Sequence, residues 1–345
     1  MAFTTINKSS LHFSPTLYVG NGSTKTVTGV PFEPDMTWIK NRSGATDNEI
    51  YDKLRGVGYR IYTNTSAGQD NLGSQGLSAW TSDGFTVGNN GALNGNGNNQ
   101  VSWNWKANGA GSANTDGSIT STVSVNTTSG FSIVSYTGTG IGSGTATVGH
   151  GLGAVPSVVI QKRTGGAANW GMYHKSIGNT ASIALNSTDV PNSQADFWGN
   201  TTPTSSLVTI GPNFAISGGN ILYCFAEKQG YSKFGSYTGN GNADGPFIYT
   251  GFKPAFVMIK NSSATESWYI LDTKRPGYNT NNYYLNPNTT SAEGTSTTLA
   301  NTLCSNGFKI NNADTSMNTS SQTYIYMAFA EAPLVGSNNV PANAR

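Results

Sequence analysis

At 345 residues the chain is long enough for two or three domains, yet only 10 % of it is charged, against about 25 % in an average soluble protein. A net charge of +2 gives no electrostatic case for a nucleic-acid or polyanion partner. No apolar run is long enough to cross a bilayer, so no membrane insertion is expected, and Met1–Lys8 has neither the basic start nor the apolar core of a signal peptide.

Gly, Ser, Thr and Asn take the place of the missing charges. The hydrophobic fraction is low, 36 %, but it is rich in aromatics, with Tyr 16, Phe 14 and Trp 7. Disordered chains lack such residues. Short aromatic and β-branched runs between turn formers read as an all-β protein with few helices.

Residues 1–17, with Phe3, Ile6, Leu11 and Phe13, read as an N-terminal arm or attachment segment. A first module spans 18–109. It holds Tyr18-Val-Gly-Asn-Gly22, then Phe32-Glu-Pro-Asp-Met-Thr-Trp-Ile-Lys40, Asp52-Lys-Leu-Arg55, the alternating Arg60-Ile-Tyr-Thr63, Asp83-Gly-Phe-Thr-Val87 and the aromatic run Val101-Ser-Trp-Asn-Trp-Lys-Ala107. Asn89–Asn99 is nearly pure turn former and is expected to be a hairpin loop between Phe85 and Trp103. A Gly/Ser/Thr/Asn linker, 110–130, follows, with one strand expected around Ile119, Val123 and Val125.

The same markers return in the same order. The second module, 131–229, has Tyr136-Thr-Gly-Thr-Gly140, Ala154-Val-Pro-Ser-Val-Val-Ile-Gln-Lys162, Asn213-Phe-Ala-Ile216 and Ile221-Leu-Tyr-Cys-Phe-Ala-Glu227. The third, 230–333, has Tyr237-Thr-Gly-Asn-Gly241, Phe252-Lys-Pro-Ala-Phe-Val-Met-Ile-Lys260, Asn306-Gly-Phe-Lys-Ile310 and Ile325-Tyr-Met-Ala-Phe-Ala-Glu331. A tail, 334–345, ends the chain. The spacing of the copies is domain-sized, so the expected fold is three sequence-related β-sandwich modules in tandem. Pro34, Pro156 and Pro254 suit the start of a strand, where a missing N–H costs nothing. Lys40, Lys162 and Lys260 are expected to mark its return to solvent. In the closing runs Val101, Trp103 and Trp105, Ile221, Tyr223 and Phe225, and Ile325, Met327 and Phe329 alternate onto one face, with Leu222 and Tyr326 on the other. Such strands belong in the middle of a sheet.

Chemistry is sparse. His12, His150 and His174 stand in unrelated contexts, and no metal-binding spacing or cofactor motif occurs. Gly140–Ala146 carries spaced glycines that read as a turn rather than a phosphate loop. Cys224 and Cys304 occupy different repeat positions, so a disulfide is not expected. Asp52 and Arg55 are echoed by Asp272 and Arg275, while the second module has His174 there. These are either a carboxylate catalyst or ligand clamp, or an ion pair closing a turn; two equivalents in one chain favour the second. Glycoside hydrolysis needs two facing carboxylates, which the sequence does not reveal among its 17 acids. Trp170 and Trp268 share a repeat position and read as core. Trp80, Trp198, Tyr278, Tyr283 and Tyr284 lie in loop-like contexts beside Asn and Thr, and are the candidates for stacking on a sugar or contacting a receptor.

The triple Tyr-x-Gly-x-Gly, the strands ending Trp38-Ile-Lys-Asn41 and Met258-Ile-Lys-Asn261, the Asp-Gly-Phe and Asn-Gly-Phe turns and the closing Phe-Ala-Glu resemble a repeated module of virion structural proteins. Those proteins, fibre-like or surface components, belong to tailed bacteriophages, marine ones especially. Phe3-Thr-Thr-Ile-Asn7 and Glu331-Ala-Pro-Leu-Val-Gly336 share the likeness, which covers essentially the whole chain; the second module departs most. The resemblance implies a non-enzymatic structural protein of the virion surface, a head or tail fibre or a capsid decoration protein, assembled in the host cytoplasm. Its implied partners are capsid, tail or fibre-base proteins, further copies of itself as in a trimer, and a host cell-surface glycan. The alternatives are a glycan- or receptor-binding module and, requiring a carboxylate pair, a polysaccharide depolymerase tailspike.

Overall fold

The chain folds almost entirely into antiparallel strands, with three four-residue helices among the described residues. The computed structural model describes residues 3–340 apart from Ile141, Ser143, Ala215, Ile216, Gly277, Tyr278, Ser337 and Asn339. Parts of the Gly140–Ala146 and Asn213–Ile216 motifs, the candidate Tyr278 and the last residues of the tail therefore lie outside the described residues.

The first repeat supplies β1 (Phe13–Val19), β2 (Lys25–Thr28), β3 (Met36–Asn41), β4 (Glu49–Asp52), β5 (Tyr59–Tyr62), β6 (Asp70–Asn71), β7 (Leu77–Thr81), β8 (Gly84–Val87) and β9 (Asn99–Trp105). They form a main sheet ordered β1-β9-β3-β4-β5-β6 and a small second layer, β2-β8-β7. Then come β10 (Ser112–Asn114), β11 (Ser121–Asn126), β12 (Phe131–Gly138), β13 (Ala146–Gly149), β14 (Val158–Arg163), β15 (Gly171–His174), β16 (Leu207–Ile210) and β17 (Gly218–Phe225). Their main sheet is β10-β11-β12-β17-β14-β15, with β13-β16 beside it. The last repeat has β18 (Ser232–Thr238), β19 (Phe247–Tyr249), β20 (Phe252–Asn261), β21 (Trp268–Asp272), β22 (Tyr283–Tyr284), β23 (Gly294–Thr295), β24 (Asn301–Cys304), β25 (Gly307–Ile310) and β26 (Thr323–Pro333). Here β18-β26-β20-β21 is the main sheet, β19-β25-β24 the small one and β22-β23 a short pair.

The closing strands β9, β17 and β26 each lie between a first strand and a proline strand, and their alternation sorts side chains onto two buried faces. Outward-facing residues pack under the small sheets in three separate clusters; Leu222 belongs to one of these and Tyr326 to another. Inward-facing residues of all three main sheets merge into a single central cluster. Register makes Trp103, Tyr223 and Met327 equivalent, opposite Trp38, Ile160 and Met258. Two residues on, Trp105, Phe225 and Phe329 meet pairwise, with ring centroids 6.4, 5.6 and 5.6 Å apart. This triangle of equivalent residues marks a pseudo-threefold axis about which the three sheets stand as a prism. Burying each ring stabilises the fold by about 1.5–3 kcal/mol before the pairwise ring contacts are added.

Several expectations are corrected. Lys40, Lys162 and Lys260 do not return to solvent: each is 0 % exposed, because the end of its strand is covered by a loop of the neighbouring repeat. The 110–130 stretch holds two strands rather than one, and β11 pairs along β12. Asn89–Asn99 is no hairpin loop. It contains a helical turn, Gly91–Asn94, capped by the Asn90 side chain accepting from the Ala92 N–H, and it carries the chain from the small sheet to the main one. Strand β1 begins at Phe13, inside the segment assigned to an arm, and Ile6 sits in the central cluster. Pro34 and Pro156 precede their strands, whereas Pro254 lies within β20 at a break in register, where a missing N–H is tolerated. Both cysteines are free, and burial pushes the Cys224 thiol up to about 12.

Candidate functional site

The polar constellations singled out from the sequence all lie at the seams between repeats. Asp272 Oδ1 accepts the N–H groups of Lys274 and Arg275 at 3.0 Å each, closing the turn after β21, and Oδ2 accepts from Arg275 Nε at 2.6 Å. The same oxygen takes the Trp103 indole N–H of the first repeat, at 3.0 Å. Asp52 repeats the arrangement: Arg55 Nε donates at 2.5 Å, and the Tyr223 hydroxyl of the second repeat at 2.7 Å. The second repeat has His174 because its neighbour offers Met327, a side chain with no donor. His174 Nδ1 accepts from Ser176 N–H, so Nε2 carries the proton and donates to the Tyr326 carbonyl at 3.2 Å. Burial lowers His174 to about 4, which keeps the ring neutral.

A second set of joints uses the buried lysines. Lys40 Nζ donates to Thr290 O of the third repeat, Lys162 Nζ to Ser66 O of the first and Lys260 Nζ to Thr188 O of the second, at 3.0, 2.8 and 3.1 Å. Each ammonium is further held by carbonyls of its own repeat, Thr46, Ala168 and Asn261 among them. Burial lowers all three lysines to about 8. Beside them, Trp170 Nε1 donates to Tyr62 O and Trp268 Nε1 to Ala184 O, while Asn48, at the corresponding place, donates to Asn286 O. Every seam thus carries a lysine, an N–H donor from the same repeat whose acceptor carbonyl lies four residues upstream of the lysine's on the partner loop, and the Asp or His contact. The contacts run head-to-tail and close on themselves.

The surface differs from seam to seam. Between the third and first repeats lies a groove of about 340 Å³ along β1, floored by Phe13, Pro15, Ala255 and Ala330. Thr273, Lys274 and Glu331 are shared with a polar hollow of about 150 Å³ that includes Lys253 and Asn281. Lys253 pairs with Glu331 at 3.0 Å. Among the described residues no group of three His, Cys, Asp or Glu is placed to hold a metal ion, and no helix is long and apolar enough to cross a membrane.

A family model matches residues 8–333. The chain belongs to the family described as Domain of unknown function (DUF7483). Neither the curated proteins nor the solved structures contain a match to it.

In this DUF7483 chain the sequence's aromatic candidates are mostly packed. Trp198 is 1 % exposed, wedged against Tyr173 and Phe214. Trp80 is half-buried against the first repeat's outer cluster. Tyr283 and Tyr284 are half-buried on β22, and Tyr284 packs on Tyr269 at 5.4 Å. Trp170 and Trp268 are core, as their shared repeat position predicts. Sequence reasoning passed over Phe247 and Tyr249, 47 % and 54 % exposed on the edge strand β19. Their signal was available: they alternate with the buried Ile248, so both project to the same side.

Proposed function

We propose that the chain is a non-enzymatic structural protein of a bacteriophage virion surface, a head or tail fibre component or a capsid decoration protein. One observation carries the reading: the Asp-x-x-Arg elements, the lysines and His174 are consumed as joints between repeats, leaving a rigid closed prism. The acids at the closing-strand ends are likewise engaged, Glu227 with Lys175 and Lys233 and Glu331 with Lys253. Low charge, dense packing and the likeness to phage virion proteins support the same assignment. Cryo-EM of purified particles of the encoding phage, with symmetry tested, decides it. Hundreds of copies on the icosahedral lattice make it a decoration protein; a few at the tail or a vertex make it a fibre. Its absence from particles overturns the proposal.

The exposed pair Phe247 and Tyr249 favours a second, compatible role in contacting a host cell-surface glycan, since two adjacent rings offer stacking faces beside the polar Lys309 and Asp244. Retention on a glycan array that disappears in Phe247→Ala and Tyr249→Ala supports it; an unchanged or silent array removes it.

A further inference from the structure

The pseudo-threefold arrangement allows the three seams to be compared position by position, and they are finished in three different ways. At the first–second seam, β11 adds antiparallel to the outer edge of the first strand β12. Its residues reach the neighbouring repeat: Ser124 Oγ accepts from Asn108 N–H, and Asn126 Nδ2 donates to Lys106 O. At the second–third seam, Glu227 bridges Lys175 of its own repeat to Lys233 on the first strand β18, the latter at 2.7 Å. At the third–first seam neither device is present among the described residues. The equivalent of Glu227, Glu331, turns to Lys253 of its own repeat, and the groove along β1 lies open. Ala330 and Glu331, which line that groove, stand where Lys106 and Ala107 stand beside β11.

Strand β1 is the edge of its sheet. His12 O and Gly20 N are bonded to the segment bearing β9, so the even-numbered residues between them face β9 and Phe13, Pro15, Leu17 and Val19 present their backbone groups outward. Leu17 and Val19 are 38 % and 51 % exposed. Pro15 occupies the place of Ile133 in β12 and deletes one outward donor while keeping its carbonyl. That limits promiscuous pairing of the edge without closing it.

We propose that the β1 groove accepts an extended segment of a partner polypeptide as an added antiparallel strand, one that alternates β-branched with hydroxyl or amide side chains as Ser121–Asn126 does in the equivalent groove. Backbone hydrogen bonds from Leu17 and Val19 supply affinity, and the shape of the groove selects side chains. The inference does not depend on a virion location.

The test uses the full chain and a synthetic peptide with the sequence of residues 117–128, the occupant of the filled groove, against a scrambled peptide of the same composition. Hydrogen exchange is followed with increasing peptide. The expected result is saturable slowing confined to the β1 segment, absent with the scrambled peptide. Pro15→Val restores an N–H and should tighten binding about fivefold, the worth of one net hydrogen bond. Leu17→Pro removes one at the exposed edge and should weaken binding by at least about the same factor, while circular dichroism confirms that both variants fold. No binding at millimolar peptide, protection elsewhere, or affinity indifferent to both substitutions overturns the proposal. Concentration-dependent protection of β1 without peptide also overturns it, by making a second copy of the chain the occupant.

Discussion

Asp272→Ala tests whether the seams hold the molecule together. Asp272 and its Arg275 partner are both fully buried at the side chain. The substitution strips the guanidinium of its nearest carboxylate, leaving Glu293 Oε1 at 3.1 Å, and orphans the Trp103 indole N–H together with two turn N–H groups. Removing one partner of a buried ion pair costs about 3–5 kcal/mol. For a chain of this size, unfolding with an entropy of about 2.1 cal/mol/K per residue, that corresponds to a loss of about 4–7 °C in Tm. Urea unfolding followed by circular dichroism gives the free energy, and a cycle with Trp103→Phe isolates the contact between repeats. A coupling of about 0.5–3 kcal/mol is expected. If Asp272→Ala costs less than about 1 kcal/mol, or the two substitutions are additive, Asp272 caps its own turn and the account of the seams is wrong.

Acid should open the second–third seam. His174 titrates at about 4 rather than 6.5, so the unfolded chain binds the extra proton first as pH falls, and stability declines from about pH 6.5 toward 4 by up to about 1.4 kcal/mol per pH unit. Burial shifts His12 and His150 in the same direction, and His174→Gln should flatten the slope in urea titrations without removing it. Alkali has the opposite effect: Lys40, Lys162 and Lys260 are held at about 8 against an ordinary 10.5. The folded chain sheds these protons first, so the urea midpoint should rise between pH 8 and 10, and Lys162→Met should remove about a third of the rise. At the axis, Trp105→Phe should change stability by less than about 1 kcal/mol, because it deletes a buried N–H without a partner and copies Phe225 and Phe329. Phe329→Ala should cost about 3–5 kcal/mol in the same assay.

The repeats, the all-β class and the two-faced closing strands were legible because alternation and proline placement are local signals, and Val101, Trp103 and Trp105 read directly as one face. What the lysines do was not legible. A lysine after an apolar run looks like a return to water, and the carbonyl that buries Lys40 belongs to Thr290, far along the chain. Likewise His174 looked like a lost motif. Only the register that sets it against Tyr326 and Met327 shows that an aspartate there would have faced a carbonyl and no donor. Trp198 misled for a related reason: its Gly, Asn and Thr neighbours suggest a loop, yet the short helix Ala195–Trp198 turns the ring inward against Phe214. Aromatic exposure depends on such local turns more than on composition.

The triangle of Trp105, Phe225 and Phe329 has a consequence for the behaviour of the chain on dilution. A ring built from three separate chains dissociates when its concentration falls below its binding constant, and its Tm drifts with dilution. Here the three sheets are tethered, so each finds its neighbours at an effective concentration fixed by the connecting segments rather than by the bulk. The ring therefore cannot be lost by dilution. Its three corners are also released from having to be identical, so one can carry Trp where the others carry Phe.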